Sequence, residues 1–277
     1  MSLIKPEVYK SIVGAKFKEK VKILNIAVDL GTIDDFKSVG ETIHFPKFKT
    51  IGNCVEMVKG DTLTTEELAQ EDSTATIKMI GKAVRVYDIE NLTAMGNQVD
   101  ESARQQAIVF ARKLDTDLVT EALTSPLKSA TVGGSVITAQ EINTGMRLFA
   151  DEIDTDEFAG IVINSRLVDS FIAMPEFTDA TKTYNASGNG VVSSGVIGYF
   201  RGIPVFVADH GTYDSVKNEC VSFVIKKNSL GYKMKRDINI ELERMAKSKA
   251  TDVVGDMIYA VKLVNDEGVV VLRKTIA

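Results

Sequence analysis

A single segment, Gln98 to Leu123, restricts the fold of this chain more than any other. Its apolar residues recur at steps of three and four, which is the period of a helix that buries one face. Asn97 is a candidate N-cap, and Ser125 precedes Pro126, a pair that disfavours further helix. The sequence therefore predicts one long helix, whose buried stripe consists of Ala103, Ala107, Phe110, Leu114, Leu118 and Ala122.

The same segment contains two carboxylates, Asp115 and Asp117, which raise the question of a metal or phosphate site. Positions two apart on a helix point roughly 200° away from each other, so these side chains flank the stripe and cannot share an ion. Arg112 lies three residues before Asp115, and Lys113 lies four residues before Asp117, which are the spacings of ion pairs on a helix surface. We therefore expect a solvated, salt-bridged helix edge and no site.

Two runs of alternating apolar and polar residues precede the long helix. The run from Thr42 to Phe48 places Ile43 and Phe45 on one face, and Pro46 indicates an edge strand or a bulge. The second run extends from Ser73 to Tyr87, beyond a polar, acidic stretch. This pattern predicts an extended hairpin whose tip projects from the body. The residues before it mix apolar and basic positions, which we interpret as an N-terminal arm with a short helix, extended over another part of the structure.

Strands and helices alternate after the long helix. Thr138 and Glu141 fit a capping box, so a helix is expected from Ala139 to about Ile153. A buried strand is expected at Phe158 to Ile163, and Ser165 is expected to cap a short helix. This alternation is typical of an α/β unit. Further strands are predicted at Cys220 to Lys226, Tyr232 to Leu242, Met257 to Val264 and Gly268 to Leu272.

Composition excludes several classes of protein. The 277 residues include 33 Lys and Arg against 38 Asp and Glu, a formal net charge of -5, which does not indicate a basic nucleic-acid-binding surface. Cys54 and Cys220 are too isolated to predict a disulfide framework or a zinc site, and the acidic run from Asp151 to Glu157 lacks the ligand order of a calcium loop. No apolar run approaches the roughly 20 residues of a membrane span, and the N-terminus does not have the pattern of a signal peptide. We expect a soluble protein made in a cytoplasm.

The titratable residues form no recognisable catalytic set. His44 alternates with apolar neighbours on a predicted strand and is expected to face solvent. Asp209 and His210 with Ser193 or Ser194 could be drawn as a hydrolase triad, but no GxSxG motif frames either serine. We therefore predict no catalytic, cofactor-binding or metal-binding residue.

The order of these elements is similar to that of the major capsid proteins of tailed phages, which have the Hong Kong 97-type fold. The most specific piece is ATIKMIGKAVRVYD followed by the long helix, and the later segments GYFRGIPVFVAD and GDMIYAVKLVNDEGVVVL also fit. The resemblance covers about Gly40 to Leu272 and implies an α+β fold. It implies an N-terminal arm at 1–39, an extension-loop hairpin at 40–87, a peripheral domain at 88–131 and 237–277 that includes the long spine helix and the last strands, and an axial α/β domain at 132–236.

The resemblance also implies a structural protein that is not an enzyme. Its copies would assemble as hexamers and pentamers into an icosahedral head shell that encloses double-stranded DNA, with the hairpin burying its alternating apolar face on a neighbour. A separate scaffolding protein is expected because the arm is short, together with a portal protein and weak, non-specific contact with DNA. The expected location is the virion, after synthesis in the bacterial host cytoplasm, with no membrane and no cofactor.

Several side chains carry a specific expectation under this resemblance. Some family members join a hairpin lysine to an asparagine of a neighbour. Lys59 and Lys78 lie in that region but no motif identifies a partner, so we predict no crosslink. Asp115 and Asp117 are expected to steady subunit geometry. The alternatives are an encapsulin-like compartment shell with the same fold and a serine hydrolase.

Overall fold

Three β-sheets and one long helix dominate the computed structural model, which describes residues 13–17, 20–34, 37–48, 54–65, 67, 70–93, 98–129, 133–151, 153–178 and 196–276. The strands are β1 (Val28–Thr32), β2 (Thr42–Phe48), β3 (Gln70–Thr76), β4 (Lys78–Tyr87), β5 (Phe158–Ile163), β6 (Val196–Phe200), β7 (Ile203–Val207), β8 (Tyr213–Asp214), β9 (Glu219–Lys226), β10 (Leu230–Met245), β11 (Ala250–Leu263) and β12 (Val269–Thr275). The α-helices are α1 (Asp88–Thr93), α2 (Gln98–Ala122), α3 (Ala139–Met146), α4 (Val168–Ile172) and α5 (Pro175–Thr178). The sheets follow the orders β1-β10-β11-β4, β12-β9-β5-β7-β6 with β8 beside β9, and β2-β3.

The long helix α2 is confirmed, and all six residues of its predicted stripe are buried. They belong to a core cluster that also contains residues of β10 and β11. The buried Gln106 strengthens this contact because its Nε2 donates to the carbonyl oxygens of Val253 at 3.0 Å and Lys82 at 3.4 Å. The predicted cap Asn97 lies outside the described residues.

The hairpin of β2 and β3 is also confirmed, but the predicted strand from Ser73 to Tyr87 is two strands. β3 pairs antiparallel with β2, whereas β4 pairs antiparallel with β11 along its whole length. The chain passes from one sheet to the other at the buried Ile77. A single strand was the wrong prediction because alternation reports which face is buried and does not report which strand is the partner.

β11 is buried on both faces because its successive side chains alternate between two neighbours. Met257, Tyr259 and Val261 belong to the core cluster of the long helix. Ile258 and Ala260 belong to a separate cluster with the hairpin. The strand therefore carries the long helix on one side and the hairpin on the other.

Gly255 permits a close approach between the long helix and β11. A Cβ at this position would lie 3.1 Å from the ring of Phe110 and 3.0 Å from Cδ1 of Ile240. Glycine avoids this crowding because it has no side chain.

The six-stranded sheet is the α/β unit expected from the sequence. On β9, Val221, Phe223 and Ile225 belong to the cluster of the long helix, whereas Cys220 and Val224 belong to a second cluster with α3 and α4. β12 pairs with β9 in this sheet. The last strands are expected to lie together in the peripheral domain; in the structure, β12 pairs with β9 and not with β10 or β11.

The ends of the shorter helices correct two predictions. The capping box of Thr138 and Glu141 is confirmed, but α3 ends at Met146 and a single 3-10 turn follows, well before Ile153. Ala150 adopts a φ of 56°, a left-handed conformation that a helix cannot continue through. The short helical turn after β5 is capped by Asn164, whose side chain accepts from the N–H of Arg166, and not by Ser165.

The N-terminal arm packs on this chain's own core. Residues 13–17 are helical, as predicted, and Val13, Phe17, Val21 and Ile23 are buried in the cluster of the long helix. The arm then forms β1, a parallel edge strand beside β10. The structure over which the arm extends is thus the long helix and sheet of the same chain.

Candidate functional site: the hairpin and the arm junction

The base of the hairpin is fixed to its own chain. Ile43, Phe45 and Ile77 are at most 5% exposed and pack in the cluster that contains Ile258 and Ala260 of β11. Phe45 is completely buried. The alternating apolar face was expected to lie on a neighbouring subunit. That expectation is wrong for the base, because β11 already covers this face.

A lysine and a histidine complete the outer side of the base. Nζ of Lys233 lies 5.0 Å from the ring centroid of Phe45, within the range of a cation–π contact, and donates to the carbonyl oxygen of His44 at 3.4 Å. The side chain of His44 is exposed, as the alternation predicts. His44 therefore lies on the outer face of β2, whose inner face is anchored by Phe45.

The tip of the hairpin differs sharply from its base. A turn at its end is held by two bonds: the N–H of Asp61 donates to the oxygen of Val58 at 3.0 Å, and the N–H of Val58 donates to Oδ2 of Asp61 at 2.7 Å. Gly60 supplies the positive φ of 111° that this turn requires. The tip exposes four large apolar side chains, namely Val55, Met57, Val58 and Leu63, which are 72%, 47%, 75% and 67% exposed. Such a cluster is typical of a surface that a partner buries.

Asp115 holds the N-terminal arm against the long helix. Its Oδ2 accepts from the N–H of Lys22 at 3.0 Å, and its Oδ1 accepts from those of Ile23 and Leu24 at 3.2 and 3.3 Å. Burial raises the pKa of Asp115 to about 6, although the three amides and the Lys22 charge act in the opposite direction. The predicted solvated edge is wrong at this position because the arm covers this side of the helix.

Asp117 joins the long helix to β11. It is 4% exposed and accepts from Tyr259 Oη at 2.8 Å and from Lys113 Nζ at 2.8 Å, with Lys78 Nζ at 3.4 Å. Burial alone would raise the pKa of Asp117, but the bonds from Lys113 and Tyr259 and the charge of Lys78 together hold that pKa below its usual range. The predicted Lys113 pair is confirmed and the predicted solvation is wrong. The two aspartates contact different parts of the chain, so neither could be placed by the helix pattern alone.

The residues drawn as a hydrolase triad do not form one among the described residues. Oδ1 of Asp209 accepts from the N–H of Ser165 at 2.7 Å, and His210 is exposed. Ser193 and Ser194 lie outside the described residues. Asp209 therefore stabilises the turn after β5.

The described residues contain neither a metal site nor a membrane-spanning helix. In the part of the chain that the structure describes, no three His, Cys, Asp or Glu residues are grouped as metal ligands, and no helix is long and apolar enough to cross a membrane. Cys54 and Cys220 are free thiols, and burial raises the pKa of Cys220 to about 11. Cys220 is therefore a poor nucleophile at neutral pH.

Comparison with known proteins gives a consistent result. No family model matches the chain. The major capsid protein of Staphylococcus phage phiMR11 is 24% identical over 276 residues, which cover 97% of this chain and 93% of the relative. The capsid structure of Cyanophage P-SCSP1u has a TM-score of 0.67 at 13% identity and covers 94% of this chain and 90% of that one. The head structure of Helicobacter pylori bacteriophage KHP40 has a TM-score of 0.66 at 12% identity and covers 94% of this chain and 91% of that one.

This chain has the Hong Kong 97-type capsid fold. The resemblance to tailed-phage capsid proteins, inferred from the order of the elements, is thereby confirmed. Lys59 lies in the exposed turn of the hairpin tip. Lys78 is the first residue of β4 and contacts Asp117 of the long helix.

Proposed function

We propose that this chain is a structural major capsid protein of a tailed phage, whose copies assemble into an icosahedral head shell around double-stranded DNA. The observation that carries the proposal is likeness over nearly the whole chain, 97% for the phage relative and 94% for the two capsid structures. A match of this extent includes the hairpin and the arm, which a monomeric enzyme would not need. The role we propose is structural and not catalytic.

The exposed tip of the hairpin supports assembly between copies. Its base is anchored on β11, which fixes where the hairpin leaves the body. A segment whose base is anchored loses less conformational entropy on binding than a segment that is free at both ends. The four exposed apolar side chains at the tip supply the area to be buried on a second copy.

We propose hexamers and pentamers of this chain as the units of the shell. The other partners are a separate scaffolding protein, a portal protein and the packaged DNA. The net charge of -5 suits weak, non-specific contact with DNA, because a shell that bound it tightly would need a basic surface. The location is the virion, with synthesis in the bacterial host cytoplasm.

The sheet pairings refine the division into domains that we propose. The N-terminal arm comprises residues 1–39 and the extension-loop hairpin ends near Ile77, because β4 pairs with β11 in the peripheral sheet. The peripheral domain then contains β4, the spine helix, β10 and β11. The axial domain contains residues 132–229 together with β12, whose partner is β9.

Electron microscopy of the expressed protein tests the function. The chain would be produced in a bacterial host with the scaffolding candidate encoded beside it, and the particle fraction would be imaged. We expect closed shells of uniform diameter. A protein that stays monomeric in light scattering, with no shells under these conditions, would contradict the proposal. Shells isolated from infected cells that contain an enzyme and no DNA would instead support a compartment shell.

A further inference from the structure

The N-terminal arm, the long helix and the segment after β7 enclose a cleft of about 360 Å³. Lys20 and Lys22 line it from the arm, Arg112 from the helix, and His210 from the segment after β7. These basic side chains come from three separate parts of the chain. This volume lies at the lower end of small-molecule pockets, which hold roughly 300–1,000 Å³.

The cations of this cleft are available to a ligand. With the other described residues, the side chains of Lys20, Lys22 and Arg112 form no salt bridge, although the charge of Lys22 acts on Asp115. The two carboxylates that also line the cleft already accept hydrogen bonds from the protein. Asp115 accepts from three arm amides, and Asp209 accepts from the N–H of Ser165.

We propose that this cleft binds a phosphate group, held by Lys20, Lys22 and Arg112 between the arm and the long helix. A guanidinium matches two oxygens of a phosphate with two parallel N–H donors, and the lysines add point charges around them. Because the ligand would contact both the arm and the helix, it would strengthen the junction that Asp115 already forms. The phosphate comes either from solution or from the backbone of a nucleic acid.

Calorimetric titration of the unassembled full-length chain with inorganic phosphate tests the site, at constant ionic strength set with sodium chloride. We expect saturable binding to the wild type. Arg112→Gln and Lys20→Gln should each weaken it about tenfold or more, as expected for the loss of a charge-assisted hydrogen bond. Because Lys20 is exposed, Lys20→Gln should fold normally, and it tests the site even if Arg112→Gln unfolds.

Arg104→Gln is the matched control, because Arg104 is an exposed arginine of the same helix and is paired with Glu101 at 2.6 Å. Its phosphate affinity should equal that of the wild type. No binding to the wild type, or equal weakening in the control, would overturn the site.

A short DNA duplex identifies the source of the phosphate. Displacement of phosphate by the duplex indicates a nucleic-acid phosphate, and no displacement indicates a free anion. The site is separate from the hairpin tip, so loss of shell assembly and loss of phosphate binding are distinguishable.

Discussion

The sequence predicts an N-terminal arm that extends over another part of the structure and a hairpin that projects from the body, and the structure gives the two segments different roles. The described part of the arm is fixed on its own chain, by buried apolar residues and by the carboxylate of Asp115. In the described part of the hairpin, the contacts with the body lie at its base, around Phe45, and the tip exposes apolar side chains. The described part of the arm is therefore part of the core, whereas the hairpin divides into an anchored base and a tip that is available to a second copy.

Phe45→Ala should have the largest effect on this difference, because it removes the anchor of the hairpin. A completely buried phenylalanine replaced by alanine costs about 3–5 kcal/mol of unfolding free energy. Urea unfolding of the unassembled chain measures this loss. Leu63→Ala at the exposed tip is the control and should change the unfolding free energy by less than about 0.5 kcal/mol. Equal losses in the two variants would contradict the division into base and tip.

Asp115→Asn should alter the pH dependence of the arm junction. The pKa of Asp115 is about 6 in the fold against its ordinary 3.8, so the folded state gains stability from its protonation as the pH falls through 6, and loses that stability as the pH rises. At 1.36 kcal/mol for each unit of pKa shift, the rise from 3.8 to about 6 is worth about 3 kcal/mol, and the wild type should gain most of it between pH 7 and pH 4 relative to the asparagine variant. Urea unfolding at several pH values measures the difference.

Asp117→Asn supplies the control with the opposite sign. The pKa of Asp117 is lowered in the fold, so its stabilising contribution is present above its ordinary pKa and is lost as the pH falls. The wild type should therefore lose stability relative to this variant on acidification. A pH-independent difference for both variants would show that neither carboxylate contributes as its surroundings indicate.

Tyr259→Phe tests the strand that supports both the hairpin and the long helix. Its hydroxyl is the donor that β11 provides to the buried Asp117, and leaving this carboxylate one donor short should cost about 1–3 kcal/mol. Tyr232→Phe on the adjacent strand is the control, because its hydroxyl makes no hydrogen bond to a described residue. Thermal unfolding of both variants gives the comparison. No difference between them would mean that Asp117 is satisfied by its lysines alone.

Periodicity predicted the elements of this fold well, and it failed where an element had more than one neighbour. All six stripe residues of the long helix are buried as expected, because a helix on a sheet needs one apolar face. The burial of Asp115 depends on an arm more than 90 positions away in sequence, which no local pattern contains. Periodicity could not predict the pairing of β12 with β9 for the same reason, since strand partners are set by long-range pairing. The exposed tip was predictable only as a projection, and its four apolar side chains gave no local signal of assembly.

The double substitution Met57→Ser, Val58→Ser should have the smallest effect on stability and a large effect on assembly. Both side chains are exposed in the subunit, so the unfolding free energy should change by less than about 0.5 kcal/mol. If a second copy buries them, their replacement removes apolar area from every interface of a shell, and a small loss at each contact is multiplied over all copies. Shell yield by electron microscopy should fall, whereas Thr62→Ala, Thr64→Ala on the same tip should assemble normally. Normal shells from the serine variant would show that the tip, although exposed and apolar, is not the surface by which copies recognise one another.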